Sequence, residues 1–375
     1  MSKSFEPLVS AIVPAYNAEQ TIQATIYSVL NQTYKNIEVV VVDDGSGDRT
    51  AELVKEIALK DSRVIFFKQA NSGVAKARNL AIAKSSGEFI APIDADDLWF
   101  PKNIEKQVQC FERSDFRVGL VYSWLVDIDE FDRFTGGVRT SLIEGQVYQT
   151  LVLHDFIGNG SCTLIRRDCL EQVGEYNCQL KEQNAQGGED LDLYLRIAEH
   201  YQFRVVPEFL VGYRKRSDSM SCNYMAMAKS RYLIWQSVRE KYPNIPQIVY
   251  RLSSSSFYMY LARQSSQHGN YKTTWLLLYK ALQADWLTPL LRLDFYRLSI
   301  AGCIKVVTQS LSFGWQKPTW LKTRQFEAKT PVLVSDLEKQ QIRTRLKVLI
   351  ENALHQSIPI MFGSIQNWRK LKNYE

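Results

Sequence analysis

Three carboxylates within four positions, Asp94, Asp96 and Asp97, close the stretch Glu88-Phe-Ile-Ala-Pro-Ile-Asp94-Ala-Asp96-Asp97-Leu-Trp99. Carboxylates set so closely repel one another unless a cation bridges them, and hard ions such as Mg2+ or Mn2+ prefer oxygen ligands. Mg2+ favours one or two carboxylates together with substrate phosphates, so the cluster points to metal-assisted chemistry on a phosphorylated substrate. The same residues also suit a solvated turn with an N-cap ahead of a helix near Pro101. A second acidic group, Glu189-Asp190-Leu-Asp192, opens a run with Leu191, Leu195 and Ala198 at helical spacing. Acids in a first helical turn complement the macrodipole, which is the plain structural reading of that group.

The elements that must position these acids alternate regularly. Leu8–Val13 reads as a strand ending in Pro14-Ala-Tyr16-Asn17, followed by a helix over Ala18–Asn31. Ile37–Val42 is almost wholly β-branched, as in a parallel strand buried on both faces, and ends in Asp43-Asp44-Gly-Ser-Gly-Asp48. Asp48 or Ser46 can cap the helix that runs from Arg49 to Leu59. A third strand over Val64–Phe67 leads through Asn71-Ser-Gly73 into a helix carrying Lys76, Arg78 and Asn79, and Phe89–Ile93 is the next strand. This alternation predicts a doubly wound parallel sheet whose post-strand loops gather on one edge, where open α/β sheets bind ligands. The glycine fingerprints of dinucleotide folds and P-loops are absent. Phosphates are therefore to be met by a metal and basic side chains.

With 375 residues, 45% apolar and 23% charged, the chain is globular and long enough for two domains. The net charge of +6 hides an asymmetry, since residues 226–375 carry 22 basic and 8 acidic side chains while the first 225 are net acidic. Six scattered cysteines without a Cys-x-x-Cys pair and four separated histidines suggest reduced thiols in a cytosolic protein and no zinc site. No leading apolar segment follows a basic start, and no apolar run is long enough to span a bilayer, so neither a secretion signal nor a membrane span is expected.

Four motifs in order, Val-Pro14-Ala-Tyr16-Asn17, Val-Val-Asp43-Asp44-Gly-Ser, Gly73-Val-Ala-Lys-Ala-Arg78-Asn79 and Asp94-Ala-Asp96-Asp97, resemble family 2 glycosyltransferases over roughly residues 6–225. The resemblance implies a GT-A fold with a Rossmann-like, mostly parallel sheet. It also implies an inverting transferase that uses a nucleotide-sugar donor with Mn2+ or Mg2+. Carried over by position, Pro14 and Tyr16 line the base with Asn17 beside them, and Asp44 accepts a hydrogen bond from it. Arg78 lies near the base or diphosphate, Asp94 holds the ribose or metal, and Asp96 the metal. Spacing leaves open whether Asp96 or Asp97 is the nearer ligand. Asp190 corresponds to the second acid of the family's Glu-Asp motif, the general base. Asp192, two residues on, points to another helix face and takes no role.

Many relatives have Tyr-Arg-x-His-x-x-Ser where this chain has Tyr213-Arg214-Lys215-Arg216. Arginine cannot ligate a cation but pairs with phosphate oxygens, so Arg216 joins the nucleotide-sugar residues and a weaker metal dependence is expected. The Gln-x-x-Arg-Trp motif of processive synthases is absent, which favours transfer of a single sugar. Two other classes compete with this reading. A nucleotidyltransferase would start on a glycine-rich loop bearing Arg and Lys, and a glycosidase needs facing acids but no nucleotide pocket. A non-catalytic binding protein would have no use for four intact motifs.

The expected partners are a nucleotide sugar, with UDP the foremost carrier, and a glycan, lipid-linked or other hydroxyl acceptor, as in growing surface polysaccharide; nucleic acid is not among them. Residues 1–225 form the expected catalytic domain and 226–375 a basic helical region. Within the latter, Ser256–Gln267 and Tyr271–Leu282 read as an αα-hairpin, with small and aromatic residues near tetratricopeptide positions over about 253–284. Leu287–Leu311 interleaves apolar and basic residues, suiting either a half-buried helix or the surface of an anionic membrane. The reading thus allows a cytoplasmic protein peripheral on the inner face of the membrane. Ser335–Leu349 is a further helix and Trp368-Arg-Lys-Leu-Lys a basic tail.

Overall fold

The computed structural model describes residues 6–216 and 219–310. The predicted helix over Ser335–Leu349 and the basic tail lie outside them. The continuous apolar runs form the buried strands. Val9–Ala15 (β1), Ile37–Asp43 (β2), Val64–Lys68 (β3) and Phe89–Pro92 (β4) are followed by Leu98–Trp99 (β5), Val118–Ile128 (β6), Phe134–Arg139 (β7), Thr163–Arg166 (β8) and Gln202–Arg214 (β9). Helices Ile22–Leu30 (α1), Thr50–Ala58 (α2), Val74–Lys84 (α3) and Asn103–Glu112 (α4) connect the early strands. Tyr148–Leu153 (α5), Arg167–Val173 (α6), Gln179–Glu182 (α7) and Glu189–Ala198 (α8) belong to the middle of the chain. Tyr224–Lys241 (α9), Gln247–Gln267 (α10), Tyr271–Ala284 (α11), Leu287–Leu290 (α12) and Leu293–Ser310 (α13) follow.

All nine strands belong to one sheet, ordered β3-β2-β1-β4-β8-β6-β9-β5 with β7 on β6. The first four are mutually parallel, as the alternation predicts, and Ala15 pairs with Asp43 while Ile12 pairs with Pro92. That register brings the loops after β1, β2 and β4 to one edge. The second half departs from the parallel pattern. β8 runs antiparallel to β4 and β6, and β5 antiparallel to β9, so the sheet is mixed. These pairs join segments distant in sequence, Phe89 with Arg166 and Leu98 with Gly212, so no local alternation of strand and helix announces them.

The α1 helix begins at Ile22 rather than Ala18 because the preceding residues are claimed by the neighbouring loop. Thr50 Oγ1 accepts from Ala18 N at 2.8 Å and Asp48 from Glu19 N at 3.1 Å. Asp48 also accepts from Thr50 N at 3.0 Å at the start of α2, whereas Ser46 accepts from Asn17 N instead. In the second half α10 starts nine residues before Ser256, and its buried Ser255 Oγ donates to Ala281 O of α11 at 3.0 Å. Leu261, Ala262, Leu277, Leu278 and Ala281 close that hairpin in their own core. The segment from Leu287 is two helices, not one.

Candidate active site

The loops on the common edge are built from paired side chains. Asn17, at φ +47, accepts from Gly47 N through Oδ1 at 2.9 Å, so the β1 loop and the β2 loop hold each other. The side chain expected to meet the donor is therefore engaged in loop structure. Pro14 is buried within β1, whereas the Tyr16 ring beside it is 54% exposed and offers a surface on which a base can stack.

Asp44 is buried and accepts three hydrogen bonds: from Gln69 Nε2 at 2.7 Å, Ser72 N at 2.7 Å and Gly73 N at 2.8 Å. It ties the β2 loop to the turn that opens α3, and of about four acceptor positions on a carboxylate three are occupied. Gly45, at φ +79, is required at this crossing, because a Cβ there would stand 2.9 Å from Asn71 N.

The acids after β4 diverge. Asp97 is wholly buried: Oδ1 accepts from Arg214 N at 2.9 Å, and Oδ2 from Ser161 Oγ at 2.6 Å and Asn159 Nδ2 at 2.9 Å. Burial and the neighbouring Asp96 and Asp94 push its carboxyl well up. Asp97 is thus an internal strut, and Asp96 is the nearer candidate ligand. Ser161 Oγ also accepts from Asp94 N at 3.0 Å, and Trp99 Nε1 donates to Ser161 O at 2.7 Å, so the turn 159–162 fixes the acidic loop from below. Asp96 is pushed up to about 6 by burial and by the charge of Asp94, with Arg216 acting in the opposite direction. Arg214, buried behind it, donates to Asp96 O at 2.7 Å and Asp129 O at 2.7 Å and pairs with Asp132 at 2.5 Å.

Arg78 stands at the centre. Projecting from α3, its guanidinium is almost fully buried and pairs with Asp94 Oδ1 at 2.6 Å and Asp190 Oδ1 at 2.8 Å. The Tyr176 ring lies 4.9 Å from its carbon. Asn79 holds Tyr176 in turn, exchanging bonds with its backbone at 2.9 and 3.0 Å. Its planar fork joins the carboxylate after β4 to the one in the first turn of α8.

At the start of α8 the two neighbouring acids separate. Glu189 is buried and accepts from Gly187 N at 2.8 Å, while Asp190 keeps 31% of its side chain exposed. Burial raises the Asp190 carboxyl to about 6 against the opposing pull of Arg78. Gly160 leaves room here, since a Cβ would meet Asp190 Oδ1 at 3.0 Å. Asp192 pairs with Arg196 at 2.9 Å, away from the site as expected. Asp190 also lies at one end of a groove of about 1020 Å3 that continues between the sheet and α9–α10. Its lining includes Asp190 but not Asp44, Asp94 or Asp96.

The donor set fits a divalent cation. Asp94 and Asp96 are adjacent acids whose mutual repulsion a dication relieves, and only Oδ1 of Asp94 is engaged by Arg78. Among the described residues no group of three or more His, Cys, Asp or Glu is placed to hold a metal ion.

Known proteins resemble this chain in sequence and in fold. The sequence model of Glycosyl transferase family 2 matches residues 10–174. An uncharacterized glycosyltransferase of Rickettsia bellii is 32% identical over 211 residues, 56% of this chain and 29% of that protein. TuaG of Bacillus subtilis, a glycosyltransferase whose name assigns it to teichuronic acid biosynthesis, is 30% identical over 239 residues, 63% of this chain and 90% of TuaG. Among solved structures, mannosyltransferase PcManGT from Pyrobaculum calidifontis, in complex with GDP-Man and Mn2+, superposes with a TM-score of 0.51. The match covers 92% of this chain and 88% of that one at 18% identity, so it speaks for the fold, which is of the GT-A type. The chain belongs to glycosyltransferase family 2.

Proposed function

We propose that this protein is an inverting glycosyltransferase that moves one sugar from a nucleotide-diphosphate sugar, with UDP the expected carrier, to a hydroxyl of a glycan acceptor. The observation that carries the reading is the Asp94–Arg78–Asp190 bridge, which sets the acidic loop of a donor site beside a carboxylate suited to take a proton. TuaG's assignment to teichuronic acid biosynthesis supports a surface-polysaccharide acceptor.

In this reading Tyr16 stacks on the base and Asp44 holds the loop beneath it, with its remaining acceptor position turned to the ligand. Asp94 and Asp96 would hold Mn2+ or Mg2+, which when bound supplies charge against that developing on the departing diphosphate. Arg216, which lowers the pKa of Asp96 through its charge, is suited to a phosphate oxygen. Asp190 accepts the acceptor hydroxyl's proton as the oxygen–C1 bond forms and the C1–phosphate oxygen bond breaks. Oδ1 is the atom engaged by Arg78, so Oδ2 takes the proton. A carboxyl poised near pH 6 is ionised at neutral pH yet retains basicity, which suits a general base. One displacement at C1 inverts its configuration.

We place the protein at the cytoplasmic face of a membrane as a peripheral component. Leu291 and Leu293, 76% and 74% exposed, with Ile300 on α13 and the basic Arg297, give the helical end an apolar, cationic surface. Among the described residues no helix is long and apolar enough to cross a bilayer. The test of the activity is a screen of nucleotide sugars for hydrolysis and thermal stabilisation with Mn2+ or Mg2+. One sugar nucleotide should stabilise the fold and be turned over; indifference to the whole panel would sink the reading.

A further inference from the structure

The groove beyond Asp190 carries more cation than it balances internally. Arg139, Lys215, Arg231, Arg263 and Arg292 line it, against Asp127, Asp155 and Asp190. Arg263 is paired with Asp294, and Arg292 donates to Ser256 Oγ at 2.8 Å. Two cations differ. The Arg231 guanidinium lies over the Phe257 ring at 4.2 Å and the Trp235 ring at 5.2 Å, and Lys215 Nζ lies 4.2 Å from the Tyr213 ring centre. Among the described residues neither forms an ion pair; Asp155 and Asp127 act on them only as more distant charges.

Aromatic faces repay part of the desolvation of a cation, but a partly buried charge without a counter-ion remains costly. Burial accordingly pushes Lys215 down to about 8 and Arg231 below its ordinary range. Such a cost is removed when a ligand brings the anion. A guanidinium packed against two rings has lost much of its freedom already and can pair with phosphate oxygens through its fork.

We propose that this groove is the acceptor site and that it takes a phosphate-bearing acceptor, whose phosphate is bound by Arg231 and Lys215 while its hydroxyl reaches Asp190. The proposal rests on the reading of Asp190 as base. The phosphate can belong to a soluble glycan chain or to a lipid headgroup, and both present the same oxygens.

The test uses the full chain with its donor site filled by the nucleoside diphosphate found in the screen. Soluble probes are glucose 1-phosphate and glucose; membrane probes are phosphatidylcholine vesicles with and without phosphatidic acid. In one arm or the other, the phosphate probe should bind about tenfold tighter than its neutral counterpart. The responding arm identifies the source. Arg231→Gln and Lys215→Gln should each remove most of that gain, Arg231→Lys should keep part of it, and nucleotide affinity should not change. Equal binding of phosphate and neutral probes in both arms, or unchanged preference in the variants, overturns the proposal. If Arg231→Gln does not fold, Lys215→Gln with Arg231→Lys decides. A wild-type chain that binds no nucleotide would defeat the reading of the donor site, a separate failure.

Discussion

Asp94, on the loop after β4, and Asp190, in the first turn of α8, are held by the two ends of one guanidinium: Arg78 Nη2 at 2.6 Å from the first, Nη1 at 2.8 Å from the second. Each acid keeps about a third of its side chain exposed, 32% and 31%, while the arginine is buried. Two partly open acids thus face ligand from a fixed separation.

Removing Arg78 should damage both fold and chemistry. Breaking a buried pair costs about 3–5 kcal/mol, and the partial exposure of both acids puts Arg78→Met near the lower end, about 3 kcal/mol. Arg78→Lys cannot span both carboxylates and should retain most of the stability while losing transfer on the order of a hundredfold. Chemical denaturation and turnover of the two variants check this; a fully active Arg78→Met would contradict the bridge.

The acids of the β4 loop should separate by phenotype. Asp96→Ala should abolish any gain in nucleotide affinity on adding Mn2+ and leave the melting temperature close to wild type. Asp97→Ala strands the donors Ser161 Oγ, Asn159 Nδ2 and Arg214 N inside the protein, and should cost about 2 kcal/mol or more. Equal melting temperatures for the two would refute the division.

Transfer should depend on pH through Asp190. Only the ionised carboxylate accepts a proton, and burial sets its pKa at about 6, so kcat should fall tenfold per pH unit below about 6 and be flat above. The stability sign is opposite. A carboxyl raised in the folded state favours folding when protonated, so this contribution is fully present below about pH 4 and lost as pH rises through about 6. A pH–rate profile that is level between 5 and 8 would contradict the assignment.

Apolar and basic residues at α12–α13 should hold the protein to anionic vesicles. Co-sedimentation at low salt should be strong and weaken at high salt, since surface charge is screened within about 10 Å at 0.1 M. Absence of binding at both salt levels would end the membrane reading.

The parallel half of the fold was legible because strands such as Ile37–Val42 are almost wholly apolar, with Glu38 the exception there, and because polar residues follow each strand. Asp190 and Asp96 were reachable through motif order. The bridge was not: nothing near Arg78 in sequence marks partners sixteen and 112 positions away. Nor does spacing tell that Asp97 turns inward, since Ser161 and Asn159 come from a turn with no motif of its own. The hairpin helix was expected from Ser256, yet α10 begins at Gln247 and includes Ser255, whose hydroxyl reaches Ala281 O of α11. Asn17 was expected at the donor and is used by Gly47, a long-range contact with no local signal.

The central claim, that Asp190 activates the acceptor within a working donor site, is met most directly by Asp190→Asn. Nucleotide-sugar affinity and sugar transfer are measured together on the variant and the wild type. The account predicts donor affinity within about twofold of wild type and transfer reduced by about 10²–10⁴. Transfer at the wild-type rate would contradict it.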